Sequence, residues 1–331
     1  MTTRRRTAGT STSHSTTGTR KPNARRRAAA ATLLPLALGV ASMKMPSGNP
    51  ASTQSHLRGG PPIQIACSLP FDAIKLHHPI DDSCGLDGNA DANTPQAAQN
   101  EAKNNFCATG APVNVNFAVL RQLQEEAAAA VTFGSIPQLP KDRSPIKSLP
   151  SPVGEIGEGR VVRIAAFVID AHPSDIGNGE SVNCNTPGAP SNDIHIVMGE
   201  NSNHDDDCSS AVAEITPHFR PAAWVAKSLT QNNEHLFRFT GQLMFDAAHR
   251  ICSGTSKPNP KRSTLWEIHP VYAVDVCMDP GNNCTVDKEA GWVALAEVAN
   301  DETHLGLPRQ GSKDSLAAAS VIKSSHGSLV R

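Results

Sequence analysis

Tyrosine occurs once in the 331 residues, and aromatic side chains make up only 4% of the chain. A groove that reads single-stranded nucleic acid by stacking needs more aromatic surface than that, backed by positive charge. No apolar run reaches the roughly 18 residues required of a transmembrane helix. No two cysteines form a C-x-x-C pair, which argues against zinc ribbons and thioredoxin-like redox motifs. A P-loop, a G-x-G-x-x-G turn and a G-x-S-x-G elbow are all missing, so nucleotide cradles and serine-hydrolase elbows find no support. The hydrophobic fraction, 38% before the 24 Gly are counted, is ordinary for a globular protein. Length allows one or two domains. Collagen, coiled coil, polytopic membrane protein and wholly disordered chain are excluded.

Acid is absent from residues 1–41, which hold eight Lys/Arg: Arg4, Arg5, Arg6, Arg20, Lys21, Arg25, Arg26 and Arg27. The remaining residues, 42–331, carry 22 Lys+Arg against 31 Asp+Glu, a net charge of −9. The near-neutral total therefore hides a basic leader on an acidic body, and non-specific nucleic-acid binding is disfavoured. After Arg27 comes the apolar stretch AAAATLLPLALGVA (28–41), which ends in the small residues Gly39-Val40-Ala41. These are the parts of a cleaved signal peptide, and the paired arginines suit a twin-arginine route. Export to the periplasm or the medium is expected, with no transmembrane span in the mature chain. Translation from Met43 would remove this signal.

Eight cysteines (67, 84, 107, 184, 208, 252, 277 and 284) follow the leader. An even number fits disulfides in an oxidising compartment; the alternative is a set of buried free thiols in a cytosolic protein. Eight cysteines allow on the order of a hundred pairings. Cys277–Cys284 and Cys184–Cys208 are expected, because each closes a loop beside a predicted strand.

The pattern divides the chain into a signal (1–41), a linker (42–62), a helical cysteine-containing region (63–133), a Pro/Gly linker (134–158), a β domain (159–298) and a polar, Ser-rich disordered tail (299–331). Phe117, Leu120 and Leu123 share one helical face in 116–131, and 96–106 is a weaker helix. Five strands are predicted at 159–170, 192–199, 209–217, 236–246 and 265–276, with a Pro-started helix at 220–229. Five strands with a helix between the third and fourth make a mainly β, OB-fold-like barrel.

Acid–His pairs recur on these strands: Asp193 and His195, Glu214 and, past it, His218, Asp246 and His249, Glu267 and His269. The intervening Ile194, Ile215 and Ile268 put apolar residues on one face and the acid–His set on the other. Carboxylate with imidazole suits a divalent ion such as Zn, Mn or Fe, and equally suits acid–base chemistry. The expected metal ligands are His195, His249, His269 and one of Glu214 or Glu267. A plain solvated face, or a set of cross-strand hydrogen bonds, is the structural alternative. Weaker candidates are a calcium-like loop at Asp87, Asn89 and Asp91 that lacks its Gly and Glu, the turn HDDDC (204–208) and the pair His77-His78. Trp266 reads as core, and Lys257, Lys261 and Arg262 as a local basic patch.

The blocks KNNFC (103–107), GESVNCN (179–185), NDIHI (192–196), AEITPHFRP (213–221), GQLMFDAAH (241–249) and WEIHPVYAVDVC (266–277) resemble a family of uncharacterised exported bacterial proteins over about residues 80–295. The resemblance implies export and transfers no catalytic residue. More loosely, the chain is similar to thermonuclease-like OB barrels, although the carboxylates and arginines those nucleases use are not at matching places. The expected function is an exported binding or interaction module for an unknown ligand or protein partner, contacted through the acid–His face, with one divalent metal as a candidate cofactor. The alternative is a metal-dependent hydrolase, phosphodiesterase-like, on the same face.

Overall fold

Strands with one apolar face must bury it together, and here they do so by closing on themselves. The computed structural model describes Ile80 and residues 84–202 and 207–300. Its regular elements are α1 (Pro95–Lys103), β1 (Val113–Val115), α2 (Phe117–Ala130), β2 (Val161–Pro173), β3 (Ile194–Gly199), β4 (Ala211–Ile215), α3 (Ala226–Thr230), β5 (Leu236–Phe245), β6 (Trp266–Cys277), β7 (Trp292–Ala294) and α4 (Leu295–Asn300). Strand order β2-β3-β4-β6-β5 returns to β2, with β4 and β6 parallel and the other neighbours antiparallel. This is a closed five-stranded barrel with α3 between its third and fourth strands, the expected OB-fold-like order. Short β1 adds to β2 and β7 to β6.

The alternating residues fill the interior. Ile194, Ile196 and Met198 of β3 and Phe237, Phe239, Leu243 and Phe245 of β5 are buried, as is Trp266, whose ring lies 5.1 Å from that of Phe245. Burying each such side chain contributes about 1.5–3 kcal/mol. Gly241 occupies the tight point where β5 crosses β6: a Cβ there would stand 2.4 Å from the carbonyl oxygen of Pro270. Only glycine fits so close a backbone approach.

The helical region packs onto the barrel. Asn116 caps α2 by accepting from the Val119 amide at 2.9 Å, and Phe117, Leu120 and Leu123 join the barrel's own core. Thr94 caps α1 in the same way through the Ala97 amide. Outside the barrel, Gln242 of β5 donates to the Ala102 carbonyl of α1 at 2.7 Å, and Tyr272 of β6 donates to that of Asn105 at 2.7 Å.

Three expectations are corrected. Residues 134–158 are not a free linker: Leu149 and Ile156 bridge each other, and Ile146, Leu149, Ile156 and Arg143 are buried. Proline and glycine there shape packed turns, because the apolar residues between them have barrel and helix surface to cover. The helix expected at 220–229 is shorter: Val225 is extended, Arg220 is held by backbone carbonyls, and only Ala226–Thr230 coils. Cys184 pairs with Cys84, and Cys208 with Cys252, rather than with each other. A loop next to a strand suggests proximity in sequence, whereas these bonds join segments 100 and 44 residues apart. Cys277 does pair with Cys284. Cys107 is also disulfide-bonded, and no described cysteine is free. The signal (1–41), the linker (42–62), His77-His78, most of HDDDC and the tail beyond residue 300 lie outside the described residues.

Candidate metal centre

The acid–His set lies on the outer side of the barrel wall, yet most of it is buried. Asp193, Glu214, Asp246, Glu267 and His269 are all fully enclosed. What covers them is α1 and the 174–193 loop, neither of which strand alternation could disclose. The set is therefore not the open face that strand patterning suggested.

Two centres emerge within it. Around Asp246, the carboxylate accepts from Gln99 Nε2 at 3.0 Å and pairs with His249 Nδ1, while Arg262 Nη1 lies 3.7 Å away and Lys103 Nζ 4.0 Å. Arg262 also pairs with Glu267 and is completely buried, so it is not part of a surface basic patch. Burial alone would raise the Asp246 carboxyl, but Lys103, His249 and Arg262 outweigh it and hold the group well below the usual range.

The second centre gathers around Glu214. Its Oε1 stands 3.2 Å from His195 Nε2, and that same nitrogen stands 3.2 Å from Glu180 Oε1. On the other side Glu214 Oε2 is 2.7 Å from His269 Nδ1 and 3.6 Å from Lys103 Nζ. The far nitrogen of His269, Nε2, faces Asp193 Oδ2 at 3.3 Å, and Asn183 Nδ2 donates to the second Asp193 oxygen at 2.9 Å.

The two histidines thus differ. His269 presents opposite ring nitrogens to two carboxylates, the arrangement of an imidazolium wedged between acids. Burial opposes its charge, but Glu214 and Asp193 prevail and its pKa rises well above 6.5. His195 presents one nitrogen to two carboxylates at once, an arrangement in which a proton and a metal ion compete for the same place. Burial again opposes, but Glu214 and then Glu180 push its pKa up to about 9. Glu214 is driven the other way, well below 4.5, by His195, Lys103 and His269 against the cost of burial.

Five carboxylates (Glu180, Asp193, Glu214, Asp246 and Glu267) are matched by three permanent cations: Lys103, Arg262 and Arg220, which acts on Asp193 and Glu180. The imidazoles of His195 and His269 beside Glu214, of His269 beside Asp193 and of His249 beside Asp246 add to that positive field. Neither Glu214 oxygen makes an aligned hydrogen bond, although both are buried. A buried carboxylate in that condition is costly unless a cation sits against it.

Of the residues expected as ligands, His195 and Glu214 meet. His249 is drawn away to Asp246, and His269 and Glu267 lie on the enclosed side, 3.7 Å apart. Asp193 closes the inner group. Glu180, Lys103, Arg220 and Gln99 were not foreseen. Strand alternation marks none of the four; Glu180, Lys103 and Arg220 stand in the blocks GESVNCN, KNNFC and AEITPHFRP, and Gln99 in none of the blocks. Among the described residues, the groups able to hold a metal are Glu180–His195–Glu214 and Asp193–Glu214–His269, and Asp87 and Asp91 join neither. Comparison of the chain with protein-family models, with curated proteins and with solved structures found no match.

Proposed function

We propose that the protein is an exported bacterial binding module whose ligand is one divalent cation, held by Glu180, His195 and Glu214. The observation that carries this reading is the single nitrogen of His195 set 3.2 Å from an oxygen of each carboxylate, one of them an unbonded oxygen of a fully buried Glu214. Ligands about 2.1 Å from one ion stand roughly 3.0–3.4 Å from each other, so this trio needs little rearrangement. The inner group fits less well, because His269 offers its two acids different nitrogens. Export is supported by the basic leader and short apolar run, and by the disulfides. One imidazole with two carboxylates suits Zn, Mn or Fe.

The test is metal content of residues 42–331 produced in an oxidising compartment and purified without chelator or His tag. About one equivalent of Zn, Mn or Fe is expected, lost in Glu214→Gln and in His195→Ala. A protein that carries no metal and takes up none of these ions at millimolar concentration overturns the reading. Metal-dependent turnover of a simple phosphodiester, abolished by the same substitutions, would assign the module to the hydrolases instead.

A further inference from the structure

One histidine of the barrel has no part in the cluster described so far. His172 is the cross-strand partner of His195, which in turn is the partner of Glu214. The three form a row across β2, β3 and β4 on the outer face, with side chains of facing residues within reach of one another. The His172 and His195 rings are 6.1 Å apart, centroid to centroid, and tilted by 53°. Two imidazoles bound to one ion at about 2.1 Å place their centroids roughly 5–6 Å apart; His172 does not join the Glu180–His195–Glu214 group as it stands, and its exposed ring would swing inward to reach an ion there.

Backbone irregularity puts His172 there. Along β2, Phe167 faces Gly199 and Val168 faces Met198. Continuing that register would set Ala171 opposite His195. A bulge between Val168 and Asp170 inserts one residue and brings His172 to the position instead. Bulges commonly re-aim a side chain in this way at functional places. The ring is also oriented: Asp170 Oδ2 lies 2.8 Å from His172 Nδ1. A carboxylate on Nδ1 fixes the tautomer and leaves the Nε2 lone pair for an ion, as in carboxylate–histidine–metal arrangements. His172 and Asp170 side chains are more than half exposed, at 55% and 56%, so neither carries the core.

We infer that His172, oriented by Asp170, is the fourth ligand, closing from the solvent side a two-histidine, two-carboxylate site that selects zinc over manganese. The inference rests on the proposed function, since it assumes an ion at Glu180, His195 and Glu214. A second imidazole favours Zn over Mn, which prefers oxygen donors. Asp170 is a positioning residue.

The experiment is competitive Zn and Mn titration of the metal-free exported chain, for wild type, His172→Ala and Asp170→Asn, with zinc-edge X-ray absorption of the loaded forms. Wild type should bind zinc with two imidazoles in the shell. His172→Ala should lose at least about tenfold in zinc affinity, show one imidazole, and change Mn affinity by less than about threefold. Asp170→Asn should keep two imidazoles and weaken zinc on the order of tenfold. Equal zinc affinity and an unchanged shell in His172→Ala would overturn this inference and leave the three-ligand reading standing. A wild type that binds neither ion would overturn both.

Discussion

Replacing Arg262 by Met tests whether the buried charges act as one balanced unit. The guanidinium is fully enclosed, pairs with Glu267 and stands 3.7 Å from Asp246. At 3.7 Å and an effective dielectric near 20, attraction to Asp246 alone is about 4 kcal/mol, set against the desolvation of the ions. Methionine fills similar space but leaves Glu267 and Asp246 short of one positive charge. Breaking a buried pair in this way costs roughly 3–5 kcal/mol. Urea unfolding with disulfides intact, followed by far-ultraviolet circular dichroism, reads the change as a lower midpoint at constant slope. Glu267→Gln removes the facing charge while keeping the shape. In the double variant Arg262→Met/Glu267→Gln a large part of the loss should return, because the cost lies in the unbalanced carboxylate and not in lost contact area. A loss below about 1 kcal/mol in Arg262→Met, or a double variant no more stable than the single, would refute the reasoning.

Two further outcomes concern stability. Serine at both Cys84 and Cys184 opens a link between segments 100 residues apart, which ties the N-terminal region to the loop carrying Glu180; a loss of about 3–5 kcal/mol in thermal or urea unfolding is expected. The same variant should bind zinc more weakly, and unchanged affinity would show that the Glu180 loop holds its place without that bond. Asp246, whose folded pKa lies well below 3.8, contributes stability that is fully present above pH 3.8 and is lost as pH falls through its folded value. Asp246→Asn should therefore be less stable than wild type at pH 7, with the gap narrowing below pH 3.8; a gap that widens on acidification would contradict the sign. Together with the metal-content and zinc-selectivity experiments, these span the site and its support.

Much of the barrel was legible because alternation is a local property. Ile194, Ile196 and Met198, or Phe237, Phe239, Leu243 and Phe245, announce a buried face from their own spacing, and α3 marks the place where the OB order inserts a helix. The acid–His residues were legible as a set for the same reason: period 2 puts His195, Glu214 and Glu267 on the face opposite the aliphatics. Their environment was not. Whether a polar face meets water or another element depends on segments distant in sequence, and here Lys103 and Gln99 of α1 descend onto Glu214 and Asp246 from more than 100 positions away.

The same contrast explains which side chains meet in the candidate site. His249 follows Asp246 by three residues and is captured locally, whereas Glu180 reaches His195 only because the 174–193 loop folds back over β3. His172 escaped notice because the predicted strand stops at residue 170, where the bulge breaks the period of two and moves the inward positions from Ile164, Ala166 and Val168 to Ala171. Composition and periodicity alone determined a mainly β, cysteine-bearing, acidic body with carboxylates and imidazoles gathered on one side of its strands. Only the tertiary structure decided which of those groups are enclosed, which are neutralised by Lys103, Arg220 and Arg262, and which share a single nitrogen of His195. Strand faces are set by bond geometry within a few residues, while burial and charge balance are set by whatever the rest of the chain brings against them.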